Sequence, residues 1–191
     1  EGTTGKPLGQ IQFPDNRFDQ VITTPDGGWL ALWFEARSGI FTSTVGARDD
    51  LIRFDRDGQV SKTVKGFLSS LTNNPEFGTQ LAVDGSGNIF AVGGTFNPAV
   101  YRFTPDGKYE NKFGSRGDQP GQFRSPSAIA VDNQSRVYVA DSRGVLVFAP
   151  DGRYLDTFPV DGVPSGMVFN DKNELFVVAR TQVFKFTLNK P

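Results

Sequence analysis

One turn, written three times, constrains this chain most: Phe54-Asp55-Arg56-Asp57-Gly58, Phe103-Thr104-Pro105-Asp106-Gly107 and Phe148-Ala149-Pro150-Asp151-Gly152. Asp-Gly readily adopts the positive φ angles of a tight hairpin, so each copy joins two adjacent antiparallel strands. A second turn alternates with it, at Thr24-Pro25-Asp26-Gly27, Asp84-Gly85-Ser86-Gly87, Asp132-Asn133-Gln134-Ser135 and Asn170-Asp171-Lys172-Asn173. Each of these lies between an apolar run and a strand such as Trp29 to Trp33, Ile89 to Val92, Val137 to Val139 or Leu175 to Val178. Self-similarity of this kind is the signature of a repeat architecture.

The clearest unit runs from Gly114 to Phe158. A loop leads to the apolar run Ala128 to Val131, an Asp-Asn turn, an alternating run through Val137 and Val139, a third run Val145 to Phe148, the Pro-Asp-Gly turn and a last strand to Phe158. Four short strands divided by turns make one antiparallel sheet, a propeller blade. The same reading places blades at 18–65, 79–113, 127–158 and 165–188. The last contains only three runs, Gly166 to Phe169, Leu175 to Val178 and Gln182 to Leu188, while residues 9–13 form a lone run at the other end. The expected fold is therefore all-β: a propeller of four blades, each a four-stranded antiparallel sheet, with the ring closed by strand 9–13 against 182–188. Two alternatives stay open, a fragment of a larger propeller and a plain extended linker at 9–13. Residues 1–8 read as a linker and 9–191 as the propeller domain.

Composition narrows the chemistry. With 191 residues, 22 Gly, 12 Pro and 18 Phe, the chain has the turn formers and aromatics that short strands need. Lys plus Arg number 20 against 21 Asp plus Glu, so no basic field draws nucleic acid. The absence of Cys and His removes disulfides, thiolate and imidazole metal ligands and the usual general base. No run approaches eighteen apolar residues, which speaks against membrane insertion, and no apolar leader region stands at the N-terminus. A start at Glu1 reads as a processed or trimmed chain, and an extracytoplasmic location is the expectation.

The connector Gly114 to Gly121 with Pro120-Gly121-Gln122-Phe123, then Pro126, Ala128-Ile129-Ala130-Val131-Asp132 and Val137-Tyr138-Val139-Ala140-Asp141, resembles the NHL-repeat β-propellers. The likeness is close in the third blade, partial in the second at Leu81-Ala82-Val83-Asp84, and loose in the first and fourth. It implies a ring-shaped fold more firmly than an activity.

Loops carry the remaining signal. The insertion Ala36 to Asp50 in blade one stands where blade three has only Ser142-Arg143-Gly144, and the inter-blade connections are expected at the same end of the ring. That end gathers the candidate binding residues Arg37, Phe41, Arg48, Phe67, Phe96, Arg116, Arg143 and Arg180. Guanidinium groups beside aromatics suit protein, peptide or glycan partners, whereas pairing with Glu35, Asp49, Asp118 and Asp141 would make the same rim an ordinary solvated surface. Arg116-Gly117-Asp118 spells an adhesion tripeptide but fits a turning connector better. Asp55-Arg56-Asp57-Gly58 begins like a calcium loop, yet the twelfth position is Gly66 where a bidentate Glu is needed. The leading expectation is a monomeric, non-enzymatic binding or scaffold module, the sensor part of a larger bacterial protein, with no catalytic residues, metal or cofactor. The alternative is a calcium-dependent lactonase-like or lyase-like hydrolase.

Overall fold

The computed structural model describes residues 10, 17–35, 48–73, 78–93 and 98–188. Blade 1 consists of β1 (Arg17–Thr23), β2 (Trp29–Glu35), β3 (Arg48–Phe54) and β4 (Val60–Val64), and the one-turn helix α1 (Ser69–Thr72) follows it. Blade 2 is β5 (Gln80–Val83), β6 (Ile89–Gly93), β7 (Ala99–Phe103) and β8 (Tyr109–Phe113). A two-residue parallel pair, β9 (Ser115–Arg116) and β10 (Gln122–Phe123), forms the connector to blade 3. Blade 3 is β11 (Ala128–Val131), β12 (Val137–Asp141), β13 (Gly144–Phe148) and β14 (Tyr154–Phe158), and blade 4 is β15 (Pro164–Phe169), β16 (Glu174–Ala179) and β17 (Gln182–Thr187). Strands pair in chain order within every blade, and the first strands β1, β5, β11 and β15 are neighbours from one blade to the next.

The two turn families explain why these strands form where they do. At the first turn a carboxylate or amide folds the chain back on itself. Asp84 Oδ1 accepts from the amides of Ser86 and Asn88, each at 2.9 Å, and Asp132 Oδ1 accepts from Gln134 at 2.9 Å and Arg136 at 2.8 Å. Asn170 Oδ1 does the same for Lys172 and Glu174. The Asp-Gly turn carries positive φ at Gly58, Gly107 and Gly152. Beside it the ladder slips by one residue each time, at Arg53/Phe54, Arg102/Phe103 and Val147/Phe148. These repeated bulges bend the outer strand at the same place in each complete blade.

Each sheet presents alternate side chains to its two neighbours. Leu30, Leu32 and Leu51 of blade 1 pack on Leu81, Ile89, Ala91, Tyr101 and Phe103 of blade 2. Phe90, Val92 and Val100 of blade 2 pack on Ile129, Val137, Val139, Leu146 and Phe148 of blade 3. Tyr138 and Val145 of blade 3 meet Leu175 and Val177 of blade 4. An arginine on the third strand latches successive blades: Arg53 Nη1 donates to the Pro105 carbonyl at 2.9 Å and Arg102 Nη1 to that of Pro150 at 3.1 Å.

The expected ring closure is corrected. Among the described residues blade 4 is a three-stranded sheet ending at β17, and hydrogen bonds close no ring between it and blade 1. The physical reason lies in the packing, which passes from blade 1 to 2 to 3 to 4 and leaves the far face of blade 4 open, with Val168, Val178 and Val183 exposed. The closing run at 9–13 lies outside the described residues, Gln10 excepted.

Phe148 is 1 % exposed and contacts Phe113, Phe123 and Tyr154. Phe148→Ala should therefore cost about 3–5 kcal/mol, read as a lower urea midpoint at unchanged slope.

Candidate functional site

Connectors between blades are irregular backbone crossing a packed end of the molecule, so their amides need partners. Buried aspartates at the ends of strands supply them. Asp49, fully buried, accepts from the amides of Leu68 at 2.7 Å and Ser69 at 2.9 Å, and Asp50 accepts from Gly66 at 2.9 Å. Two blades later, Asp141 Oδ2 accepts from Arg124 and Ser125, each at 2.8 Å, and Oδ1 faces the Arg143 amide at 3.2 Å. Asp141 is likewise fully buried.

Arg143 continues this framework. Its Nε lies 3.4 Å from Asp141 Oδ1, its Nη1 donates to the Asp118 carbonyl at 2.9 Å, and its Nη2 donates to the Gln122 carbonyl. The guanidinium thus braces the connector that β9 and β10 define. Asp118, the acid of the Arg-Gly-Asp tripeptide, is held by Arg124 Nε at 2.5 Å. That contact keeps the exposed Asp118 carboxyl below the usual carboxylate range and raises the Arg124 guanidinium in turn.

The expected arginine and aromatic rim separates into different roles. Phe67 is a core residue, 2 % exposed and stacked on Phe103 at 4.2 Å between ring centres, and it is not available at a surface. Arg116 is exposed on β9, and Arg180 is exposed at the β16–β17 turn with a left-handed φ of 53°. Arg48 opens β3 opposite Glu35. Arg37, Phe41 and Phe96 lie outside the described residues. Asp49 and Asp141 stand out in the sequence only as counter-ions for arginines. Asp49 stands near the start of β3 and Asp141 at the end of β12, so neither adjoins in sequence the connector it bonds, and no local signal marks that role.

A second feature lies at the outer rim, at the end carrying the hairpin turns. A groove of about 800 Å³ runs between blades 3 and 4, with Tyr138, Val147, Leu155, Phe158, Phe186 and Leu188 among its walls. It lies beside β17, where blade 4 has no fourth strand among the described residues. Phe158 and Phe186, 5.0 Å apart, form part of the wall. Arg136 and Tyr138 also line it, and both turn toward the buried Asp132: Arg136 Nε at 2.6 Å and the Tyr138 hydroxyl at 3.3 Å. Burial, reinforced by the Asp132 charge, pushes the Tyr138 phenol up to about 12. Volume and apolar lining match what small-molecule sites offer. The phenol stays protonated, with its one O–H directed at Asp132, and is not a base.

Calcium, the ion of the alternative reading, asks for six or more oxygens around one point. The described residues do not fit it: no group of three acidic residues comes together among them. The buried carboxylates Asp49, Asp84, Asp132 and Asp141 each accept two main-chain amides or more.

Residues 82–186 match the family described as 6-bladed beta-propeller. No curated protein matches the chain in sequence. Among solved structures, the major allergen Mala s 1 of Malassezia sympodialis superposes with a TM-score of 0.63 at 16 % identity, over 90 % of this chain and 60 % of the allergen. A gluconolactonase of Xanthomonas campestris gives 0.59 at 18 % identity, over 91 % and 59 %. A calcium-binding regucalcin of Agrobacterium tumefaciens gives 0.58 at 15 % identity, over 87 % and 55 %. The chain thus spans somewhat over half the length of these proteins. The family match corrects the NHL-repeat resemblance. The residues that suggested it serve blade packing in general: Phe123 is fully buried against Phe148, and Gly114 turns at φ 74° where a Cβ would stand 2.2 Å from the Phe123 ring.

Two measurements check the site. Arg143→Ala should lose about 1–3 kcal/mol by releasing buried and half-buried carbonyl and carboxylate partners, while Arg180→Ala stays within about 0.5 kcal/mol, both from chemical denaturation. In a 295 nm titration Tyr138 should ionise only near pH 12, so Tyr138→Phe should lower the absorbance change in that range. The folded phenol holds its proton more tightly than the unfolded one, so its contribution to stability is whole below about pH 10 and falls away as pH rises toward 12.

Proposed function

We propose, from the premise that this chain belongs to the 6-bladed beta-propeller family, that it serves a hydrolase acting on a small cyclic ester, a lactonase-type activity. The observation that supports this most is the superposition of nine-tenths of the chain on a gluconolactonase, with a calcium-binding regucalcin among the other propellers of the same fold. This replaces the expectation of a non-enzymatic scaffold with a protein, peptide or glycan partner: the comparisons favour an enzyme and a small-molecule substrate.

The described blades contribute scaffold and recognition surface to this reading. Their buried aspartates are committed to main-chain amides, so no step is assigned to a metal held by them. Arg136 lines the groove with a guanidinium that can donate to oxygen atoms of a ligand, while the Tyr138 hydroxyl gives its proton to Asp132, beside an apolar wall that excludes water from the ligand's ring carbons. An extracytoplasmic location belongs to the same proposal, and recovery of the native protein solely from the cytoplasmic fraction would remove it.

The activity is checked by following proton release from a panel of aldonolactones in a pH-stat, with and without added calcium. The expected outcome is a saturable rate above spontaneous ring opening. No rate above the spontaneous one for any lactone, from protein shown to be folded by circular dichroism, sinks the proposal.

A further inference from the structure

Aspartate followed by glycine is the pair in which a side-chain carboxyl closes most readily on its own backbone, because glycine has no Cβ to hold its amide nitrogen away. The chain has six such pairs, beginning at Asp26, Asp57, Asp84, Asp106, Asp151 and Asp161. The first five are guarded. Gly27, Gly58, Gly107 and Gly152 each donate their amide to the carbonyl three residues earlier, at 2.9–3.1 Å, which fixes the nitrogen in its turn. Asp84 is 3 % exposed, and its carboxylate is occupied by the amides of Ser86 and Asn88 and by the Asn88 side chain.

Asp161–Gly162 has neither protection. Both residues are exposed in the connector between β14 and β15, and no described residue bonds the Asp161 carboxylate or the Gly162 amide. Comparison of blades 3 and 4 shows why. Aligned on their first turns, at Asp132 and Asn170, Gly162 and Val163 stand where Arg124 and Ser125 stand, and Ala179 where Asp141 stands. Asp141 accepts from the amides of Arg124 and Ser125, each at 2.8 Å. Ala179 has a methyl group in place of that carboxylate, and it still faces the connector: a Cβ on Gly162 would lie 3.6 Å from the Ala179 Cβ. The connector into blade 4 therefore lacks the acceptor that ties down the connector into blade 3.

We propose that Asp161 is a modification site, at which the chain converts to isoaspartate because Ala179 leaves the Gly162 amide untied. The Gly162 nitrogen attacks Cγ of Asp161 in its carboxylic acid form. The N–Cγ bond forms, the Cγ–OH bond breaks, and the amide proton leaves with that hydroxyl as water. The resulting succinimide takes up water at the former peptide carbonyl carbon of Asp161, whose bond to nitrogen breaks. The main chain then runs through Cγ, one methylene longer, with a free carboxylate on Cα, and neither oxidant nor reductant is consumed. The change falls at the junction of two blades: Val160 packs against the core shared by blades 3 and 4, and Ser127 Oγ donates to the Pro164 carbonyl at 2.6 Å. The partner that such a residue fits is a carboxyl methyltransferase specific for isoaspartate. The proposal is independent of the lactonase activity.

The test is to incubate the protein warm at mildly acidic pH, folded and in urea, and to count isoaspartate at each Asp-Gly pair by peptide mapping. An isoaspartate-specific methyltransferase with S-adenosylmethionine supplies the label. In the folded chain Asp161 should convert at least about tenfold faster than each of the other five, and in urea all six should agree within about threefold, since only local opening separates them. Ala179→Asp should slow conversion at Asp161 in the folded chain by at least about fivefold, by giving the Gly162 amide an acceptor, and leave the rates in urea unchanged. A folded chain in which Asp57 or Asp151 keeps pace with Asp161 overturns the proposal, as does an Ala179→Asp protein that is folded by circular dichroism and converts as fast as the unchanged chain. Should Ala179→Asp fail to fold, the ratio of folded to urea rates decides alone: near one at Asp161 and well below one at the other pairs supports the proposal, and equal protection at all six overturns it.

Discussion

A blade has two apolar faces and buries each only by lying against another blade. Sheet-on-sheet burial therefore fixes the order of everything else. Alternate residues of a strand serve opposite neighbours, so Leu30 and Leu32 of blade 1 look toward blade 2 while Trp29 and Ala31 look the other way. The phenylalanine ending each third strand recurs because the bulge beside it directs a large ring toward the preceding blade. The arginine before it recurs in blades 1 and 2 because the following blade's proline carbonyl lies within reach. Where Val147 replaces that arginine in blade 3, the latch is missing and an apolar groove takes its place.

The cost of this architecture falls on the connectors. Strands satisfy their own amides, but the chain crossing from one blade to the next cannot, and an unpaired buried amide costs of the order of 1–3 kcal/mol. Asp49, Asp50 and Asp141 meet that cost from strand ends, and Arg143 extends the network to the carbonyls of Asp118 and Gln122. This explains why Arg143, read in the sequence as part of a charged rim, braces a connector. It also explains why buried acids in a fold shared with a calcium-binding protein are not arranged as ligands: their oxygens already have partners.

Strand and turn positions were legible because their causes are local. Asp-Gly needs a positive φ and Asx side chains cap their own turns, whatever surrounds them. The motifs around Phe123 and Gly121 were legible too, but they report the demands of blade packing and not lineage, which is how an NHL-like spelling arises in a different propeller family. Arg143 and Arg180 were grouped as binding candidates from the sequence. One braces a connector through three residues and the other stands exposed at a turn, because the β9–β10 connector gives the Arg143 guanidinium carbonyls to grasp. Phe67 could not be told from a surface aromatic without knowing that Phe103 lies on it.

The sequence alone determined the repeat, the hairpin turns, the antiparallel order of strands within a blade and the exclusion of thiolate and imidazole chemistry, since each follows from residue types at short separation. Only the tertiary structure decided whether the blades close, which aspartates are buried, where the groove opens and which valines stay exposed. Those outcomes depend on contacts between strands dozens of residues apart. Whether a face is buried is a property of what stands opposite it, and alternating valines read the same in Val145, which is covered, and Val183, which is not.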